Sequence, residues 1–332
     1  MTVRTATEPG EGTASAPVEE RLERHRVELT AFCYRMLGSI GEAEDAVQET
    51  LTRAWRSFDG FESRASLRTW LYRIASNVCF DLLEASRRRA TPMDLGGPGE
   101  VEAPLAPPLP ETTWVGPAPD ALVMSADSDP AHVVHARESV RLALIAALQH
   151  LPPRQRTVLI LRDVLRWRAN EVADLLDMGV AAVNSALQRA RATLASRDID
   201  ASALSDATVE GADRELLARY LDAFERYDME ELTSLLHEDA TQSMPPYPLW
   251  LRGRDEMAAW MLGPGAECRG SRLVPVRVNG VSGFAQYRHG GDTPWSIHVP
   301  EVRDGRIASI TYFLETDGSL FRRFGLPARL TG

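Results

Sequence analysis

The stretch Ala43-Glu44-Asp45-Ala46-Val47-Gln48-Glu49-Thr50-Leu51-Thr52-Arg53-Ala54-Trp55 decides how the first part of the chain folds. Ala43, Ala46, Val47, Leu51, Ala54 and Trp55 recur at three- and four-residue steps, the period of a helix with one apolar side. Asp45, Gln48 and Glu49 form a polar stripe opposite it, with Arg53 one turn further on. Upstream, Leu29, Phe32, Cys33 and Met36 share a helical face; downstream, Leu67, Trp70, Leu71, Ile74, Val78 and Leu82 repeat the signal. Gly38 and the 57–66 stretch punctuate these helices as loops. Residues 19–90 are therefore expected to form an all-helical domain, after a disordered tail over 1–18.

Residues 91–136 carry nine prolines between Pro92 and Pro130 and no basic residue, which predicts an extended acidic linker. A second helical domain is expected over 137–197, its last two helices joined by Asp177-Met178-Gly179-Val180 as a helix-turn-helix. In the final helix Val180, Val183, Leu187, Ala190 and Leu194 follow 3-4-3-4 spacing and are read as the core face. The other face presents Ala181, Ala182, Asn184, Ser185, Gln188, Arg189 and Arg191. Small residues let a helix N-terminus approach a groove, and amide and guanidinium groups contact base edges or phosphates. A solvated face on an ordinary bundle is the competing reading. After a short linker over 198–209, residues 210–332 change character: an amphipathic helix precedes β-forming runs at 272–278, 283–288, 296–302 and 307–314. That is an α+β domain with an antiparallel sheet.

The net charge of −10 argues against nucleic acid until it is divided along the chain. It is −3 over residues 1–20, +2 over 21–90, −7 over 91–136, +5 over 137–197 and −7 over 198–332, so only the helical blocks are positive. All 37 basic residues are Arg, which fits genomic base composition and also phosphate and guanine binding. No apolar run reaches the roughly 18–20 residues of a membrane span, and the N-terminus lacks a signal-peptide core, so a cytoplasmic protein is expected. Cys33, Cys79 and Cys268 are far apart, with no spacing that closes a metal site.

The 43–55 run resembles the polymerase-binding helix of sigma-70-family factors, and residues 58–81, with Phe61, Trp70, Leu71, Arg73, Ile74, Ala75 and Asn77, resemble their −10-reading segment. Together with Leu151-Pro152-Pro153-Arg154-Gln155-Arg156 and the 185–191 segment of the helix-turn-helix, the chain resembles a bacterial extracytoplasmic-function sigma factor over residues 20–90 and 137–197. The resemblance implies a sigma region-2 domain, a region-4 domain, and core RNA polymerase and promoter DNA as partners, with no cofactor, metal or membrane. Asp45, Gln48, Glu49 and Arg53 would dock on polymerase. Phe61, Arg64, Ser66, Arg68, Arg73, Asn77, Arg87 and Arg88 would hold the opened −10 strand, Asn77 reading a base. Unstacking a base costs a few kcal/mol, which aromatic contacts, edge hydrogen bonds and phosphate contacts offset. Trp70 suits either the core or a stacking platform. Ala181, Ala182, Asn184, Ser185, Gln188, Arg189 and Arg191 would read the −35 duplex. The linker either enters the polymerase near its active centre or serves as a spacer, and Trp114 within it could anchor on another domain.

Residues 210–332 go beyond a two-domain sigma factor and resemble the SnoaL-like, ketosteroid-isomerase-like cone. Such cones enclose a pocket, for which Tyr247, Trp250, Trp260, Trp295, His298 and Tyr312 are candidates, though aromatics at these positions also suit plain core. Asp239, Glu301 and His298 are available as bases, and no spacing selects one, so a non-catalytic regulatory module is expected. A small-molecule ligand or a separate anti-sigma factor are further candidate partners. Two other classes stay open: a stand-alone helix-turn-helix regulator, and a small-molecule enzyme using the cone.

Overall fold

The computed structural model describes residues 17–61, 66–85, 88–124, 134, 136–196 and 210–331. The first module is α1 (Val18–Glu23), α2 (Arg26–Leu37), α3 (Ile40–Arg56) and α4 (Leu67–Ala85). Gly38, left-handed at φ 73°, ends α2, and the Ser39 side chain accepts from Glu42 N at 3.4 Å to start α3 two residues later. That tight junction folds α3 back along α2 and turns the Ala43/Val47/Leu51 face inward, where all three are buried.

Residues 88–124 add two short helices, α5 (Pro92–Leu95) and α6 (Asp120–Val123). The second module is α7 (Leu142–Leu148), α8 (Pro153–Leu159, continuing as a π-helical turn Ile160–Val164), α9 (Ala169–Leu176) and α10 (Val180–Ala195). Asp177, left-handed at φ 52°, caps α9 and makes the turn into α10. Val183, Leu187, Ala190 and Leu194 are buried as the spacing required, but Val180 is 45% exposed. It opens the helix, where no neighbouring turn covers it.

The cone begins with α11 (Glu210–Arg226) and α12 (Met229–Leu235), continues through β1 (Leu236–Ser243), β2 (Trp250–Arg252), α13 (Arg254–Leu262), β3 (Arg272–Val278), β4 (Val281–Arg288), β5 (Thr293–Arg303) and β6 (Arg306–Leu314), and ends with α14 (Ser319–Arg323). Its six-stranded sheet runs β2-β1-β6-β5-β4-β3. The expected sheet was antiparallel and lacked the first two strands; β1 is present and pairs parallel with β6. β1 escapes sequence reading because His237-Glu238-Asp239 is polar, with its middle at the sheet surface and a register shift there. One apolar cluster of the cone joins α11–α13 to the sheet, and another gathers Val278, Tyr287, Ile297 and Phe313 with Phe321 of α14.

The two helical modules share a single hydrophobic cluster, from Leu22 to Leu194. Over its described residues up to 124 the linker is docked on its neighbours. Ala90 bridges Trp114, Gly99 N donates to Trp250 O at 2.8 Å, Leu109 N donates to Pro246 O at 2.9 Å, and Pro119 bridges Val278 of β3. A proline-rich chain lacks partners within itself, so the carbonyls and N–H groups of its neighbours supply them.

Candidate nucleic-acid and polymerase interface

The outer face of α3 presents Asp45, Gln48, Glu49 and Arg53 to solvent. Arg53 donates to Glu49 at 2.6 Å, one helical turn back, and reaches Asp81 of α4 at 3.4 Å. Trp55 is 55% exposed and holds Glu19 through its indole N–H at 2.9 Å, an unusual exposure for so large an apolar ring. The stripe expected to dock is thus continuous and uncovered.

The segment expected to hold the −10 strand starts with three clustered rings. Phe61 lies 4.9 Å from Trp70 and 6.0 Å from Phe58, so Trp70 is half-buried, packing on the core from one side and on Phe61 from the other. Ser66 accepts from Thr69 N at 3.1 Å and caps α4. Arg73 and Asn77, four residues apart, are both exposed on one face of α4. Arg88 donates to His150 Nδ1 at 2.6 Å. Arg64 and Arg87 lie outside the described residues.

Besides Arg88, two more of these arginines are held by the second module. The Arg73 guanidinium donates to the Asp174 carbonyl in α9 at 2.7 Å. Arg68 donates to Glu28 at 2.7 Å and lies over the rings of Tyr72 and Trp167, 5.1 and 5.2 Å from their centroids. On α10, Ala181, Ala182, Asn184, Gln188, Arg189 and Arg191 are exposed and Ser185 is half-buried, accepting from Arg189 at 2.6 Å. Arg191 is engaged by Asp163 through two bonds of 2.9 and 2.7 Å.

Sequence reasoning missed the groups that join the modules. Arg35 of α2 donates to Ser139 O at 2.9 Å and Ser139 Oγ at 2.6 Å. Arg156 of α8 bonds the Met36 carbonyl, Gln149 Oε1 at 2.8 Å, and the carbonyls of Gln149 and Leu151 at 3.1 Å each. The last carbonyls of α2 have no partner in their own helix, and a cation from the other module supplies it. Burial without a carboxylate pulls both guanidinium pKa values down to about 10. At the β3–β4 turn, Asn279 is wholly buried; its Nδ2 donates to Tyr34 Oη and to Val140 O, both at 2.7 Å, and its Oδ1 accepts from Ala118 N at 3.0 Å. One amide thus ties the cone to the first module, the linker and the second module. The Asn279-Gly280 dipeptide signals a hairpin turn in the sequence, but nothing local signals those distant partners.

Of the six residues expected to line one cone pocket, the structure brings Trp260, Trp295, His298 and Tyr312 together and leaves Tyr247 and Trp250 apart. Trp260, Trp295 and Tyr312 border a gap of about 30 Å³, room for about one water. Trp250 donates outward to Gly96 O of the linker at 2.9 Å, and Tyr247 lies in the turn before β2. His298 is fully buried, between Gln286 Oε1 at 3.0 Å and Tyr220 Oη at 3.1 Å, and Tyr220 lies 3.4 Å from the Tyr312 hydroxyl. Burial drives its pKa down to about 3, so the ring is neutral. Tyr220, Phe224, Gln286 and Tyr312 surround the imidazole. Asp239 is paired with His237 and Arg303, and Glu301 accepts from Ser309, so neither faces that imidazole as a base.

Among the described residues no helix is long and apolar enough to cross a membrane, and no group of three or more His, Cys, Asp or Glu could hold a metal ion. Comparison with known proteins gives three family matches: sigma-70 region 2 over residues 22–89, sigma-70 region 4 over 141–194, and a SnoaL-like domain over 217–310. ECF RNA polymerase sigma factor SigG of Mycobacterium tuberculosis is 42% identical over 331 residues, spanning 96% of this chain and 88% of that protein. SigJ of the same species is 29% identical over 74% of this chain and 71% of its own length. The crystal structure of SigJ superposes with a TM-score of 0.61 at 25% identity, covering 93% of this chain and 99% of that one. Two sigma modules in order and a C-terminal cone agree with a relative alike over nearly its whole length: the chain belongs to the ECF RNA polymerase sigma factors.

Proposed function

We propose that this sigma factor rests in a closed form, with its promoter-reading modules bound to each other and to the cone, and that reading a promoter requires them to part. As an ECF sigma factor it binds core RNA polymerase and directs initiation at promoters. The observation that carries the closed-form reading is Arg73, on the face assigned to the −10 strand, donating to Asp174 O in the first helix of the helix-turn-helix. The −10 and −35 elements lie more than two turns of duplex apart, on the order of 80 Å at about 34 Å per turn. Modules joined at 2.9 Å through Arg35 and Ser139 cannot reach both at once. The polymerase-facing stripe of Asp45, Gln48, Glu49 and Arg53 is open in this form, so polymerase can engage first and draw the modules apart.

In the open form Phe61, Arg64, Ser66, Arg68, Arg73, Asn77, Arg87 and Arg88 hold the unpaired −10 strand. Ala181, Ala182, Asn184, Ser185, Gln188, Arg189 and Arg191 meet the −35 duplex. The cone acts as a non-catalytic clamp through Asn279, and the protein works in the cytoplasm, where polymerase is. The test is transcription in vitro with core polymerase from a randomised promoter library, comparing the full chain with one ending at Arg197. The shorter chain should use the same −10 and −35 sequences at lower polymerase concentration. Equal or weaker use by the shorter chain would overturn the clamp.

A further inference from the structure

Where the first module, the linker and the cone meet lies a cavity of about 430 Å³, walled by Ile40, Leu109, Trp114, Phe313, Leu320 and Arg323. That volume falls within the roughly 300–1,000 Å³ of small-molecule sites, and its setting, mostly apolar and at a junction of domains, is where such sites occur. Its polar groups are unevenly satisfied. The Glu315 carboxylate accepts from the backbone N–H groups of Thr316, Asp317, Gly318 and Phe321 at 2.7–3.1 Å, and Asp317 accepts from Ser319 N at 2.9 Å. The donors are not so supplied. Trp114 is 3% exposed and its indole Nε1–H has no hydrogen-bond partner among the described residues. Arg323 is half-buried and ion-paired with Glu44 and Glu111 at 3.8 Å, a distance that leaves its N–H groups open to a closer acceptor. A buried donor without an acceptor is costly, so a fitting occupant brings acceptor oxygens and an apolar body.

We propose that this cavity binds a small aromatic carboxylate, its ring against Leu109, Phe313 and Leu320 and its carboxylate on the Arg323 guanidinium. A planar two-oxygen acceptor matches the guanidinium fork, which an amine would repel and an amide would fill by half. The site borders three parts of the chain at once, so an occupant strengthens their association. This consequence for transcription rests on the closed-form reading above; the binding itself does not.

Calorimetric titration of the full chain with naphthalene-2-carboxylate, naphthalene-2-carboxamide and 2-(aminomethyl)naphthalene tests the site. The carboxylate should bind saturably and at least about ten-fold tighter than the other two. Arg323→Gln should reduce it to the level of the amide. Gly116→Met, at a cavity-wall position where an added Cβ meets nothing within 4 Å, should weaken all three while leaving the melting curve in place. No saturable binding, amine binding as tight as carboxylate, or full carboxylate affinity in both variants would each overturn the proposal. Carboxylate binding that leaves transcription by the full chain unchanged would keep the site and reject the closed-form reading.

Discussion

Asn279 holds a left-handed backbone at φ 51° while its side chain serves Tyr34, Val140 and Ala118. Asn279→Gly keeps that conformation accessible and removes only the amide. Each buried group left without a partner costs about 1–3 kcal/mol, so the variant should melt earlier and, by small-angle scattering, show a larger radius of gyration. Unchanged melting and radius would mean the contact does not hold the modules. On the exposed faces, Asn77→Ala should alter which −10 bases are tolerated, whereas Arg191→Ala should weaken all promoters alike and lower the slope of log affinity against log salt by about one. Equal loss at every −10 variant with Asn77→Ala would refute its role as a base reader. Placements of this local kind were legible: Asn77 and Arg73 sit one turn apart on the exposed side of α4, as the spacing required. Arg35 and Arg156 were not. In the sequence they are two charges among many Arg, and their burial depends on carbonyls about a hundred residues away.

At the scale of elements, helices were easier to read than strands because a helix face repeats within one turn, while β1 finds its partner β6 from the far end of the cone. Val180 shows the limit for helices too: correct phase does not bury a residue whose turn has nothing above it. The end of α2 depends on Arg156, so Arg156→Lys, which keeps the charge but loses the fork, should still lower the melting temperature by several degrees in calorimetry, and Arg156→Met by more. The cone's β4–β5–β6 layer carries its own pH dependence through His298. Its folded pKa of about 3 lies below the unfolded value of about 6.5, so its contribution is complete above pH 6.5 and falls as the pH drops towards 3, by about 1.4 kcal/mol per unit. The difference in stability between the wild-type chain and His298→Gln should therefore shrink between pH 6.5 and 4; a constant difference would show that the imidazole is not held neutral.

Over the whole molecule, the order of three units was plain from charge and composition, and their arrangement was not. A proline-rich acidic stretch reads as a spacer because composition reports only what it cannot do with itself. Its docking on the cone and on α2, through Trp250, Pro246 and Gly38, is a property of the other surfaces. The modest positive charge of the helical blocks suits a protein whose grip on DNA waits until polymerase has aligned both modules.

Because the last carbonyls of α2 are capped by Arg156 and Gln149 of the second module, the two promoter-reading parts are not interchangeable bricks. A hybrid factor that takes residues 137–197 from a relative inherits a new −35 preference only if Ser139 still meets Arg35 and Arg156 still caps the end of α2. Lineages that shuffle promoter specificity by recombination must therefore exchange these seams together with the reading faces, and engineered hybrids that ignore them should fail in folding before they fail in recognition.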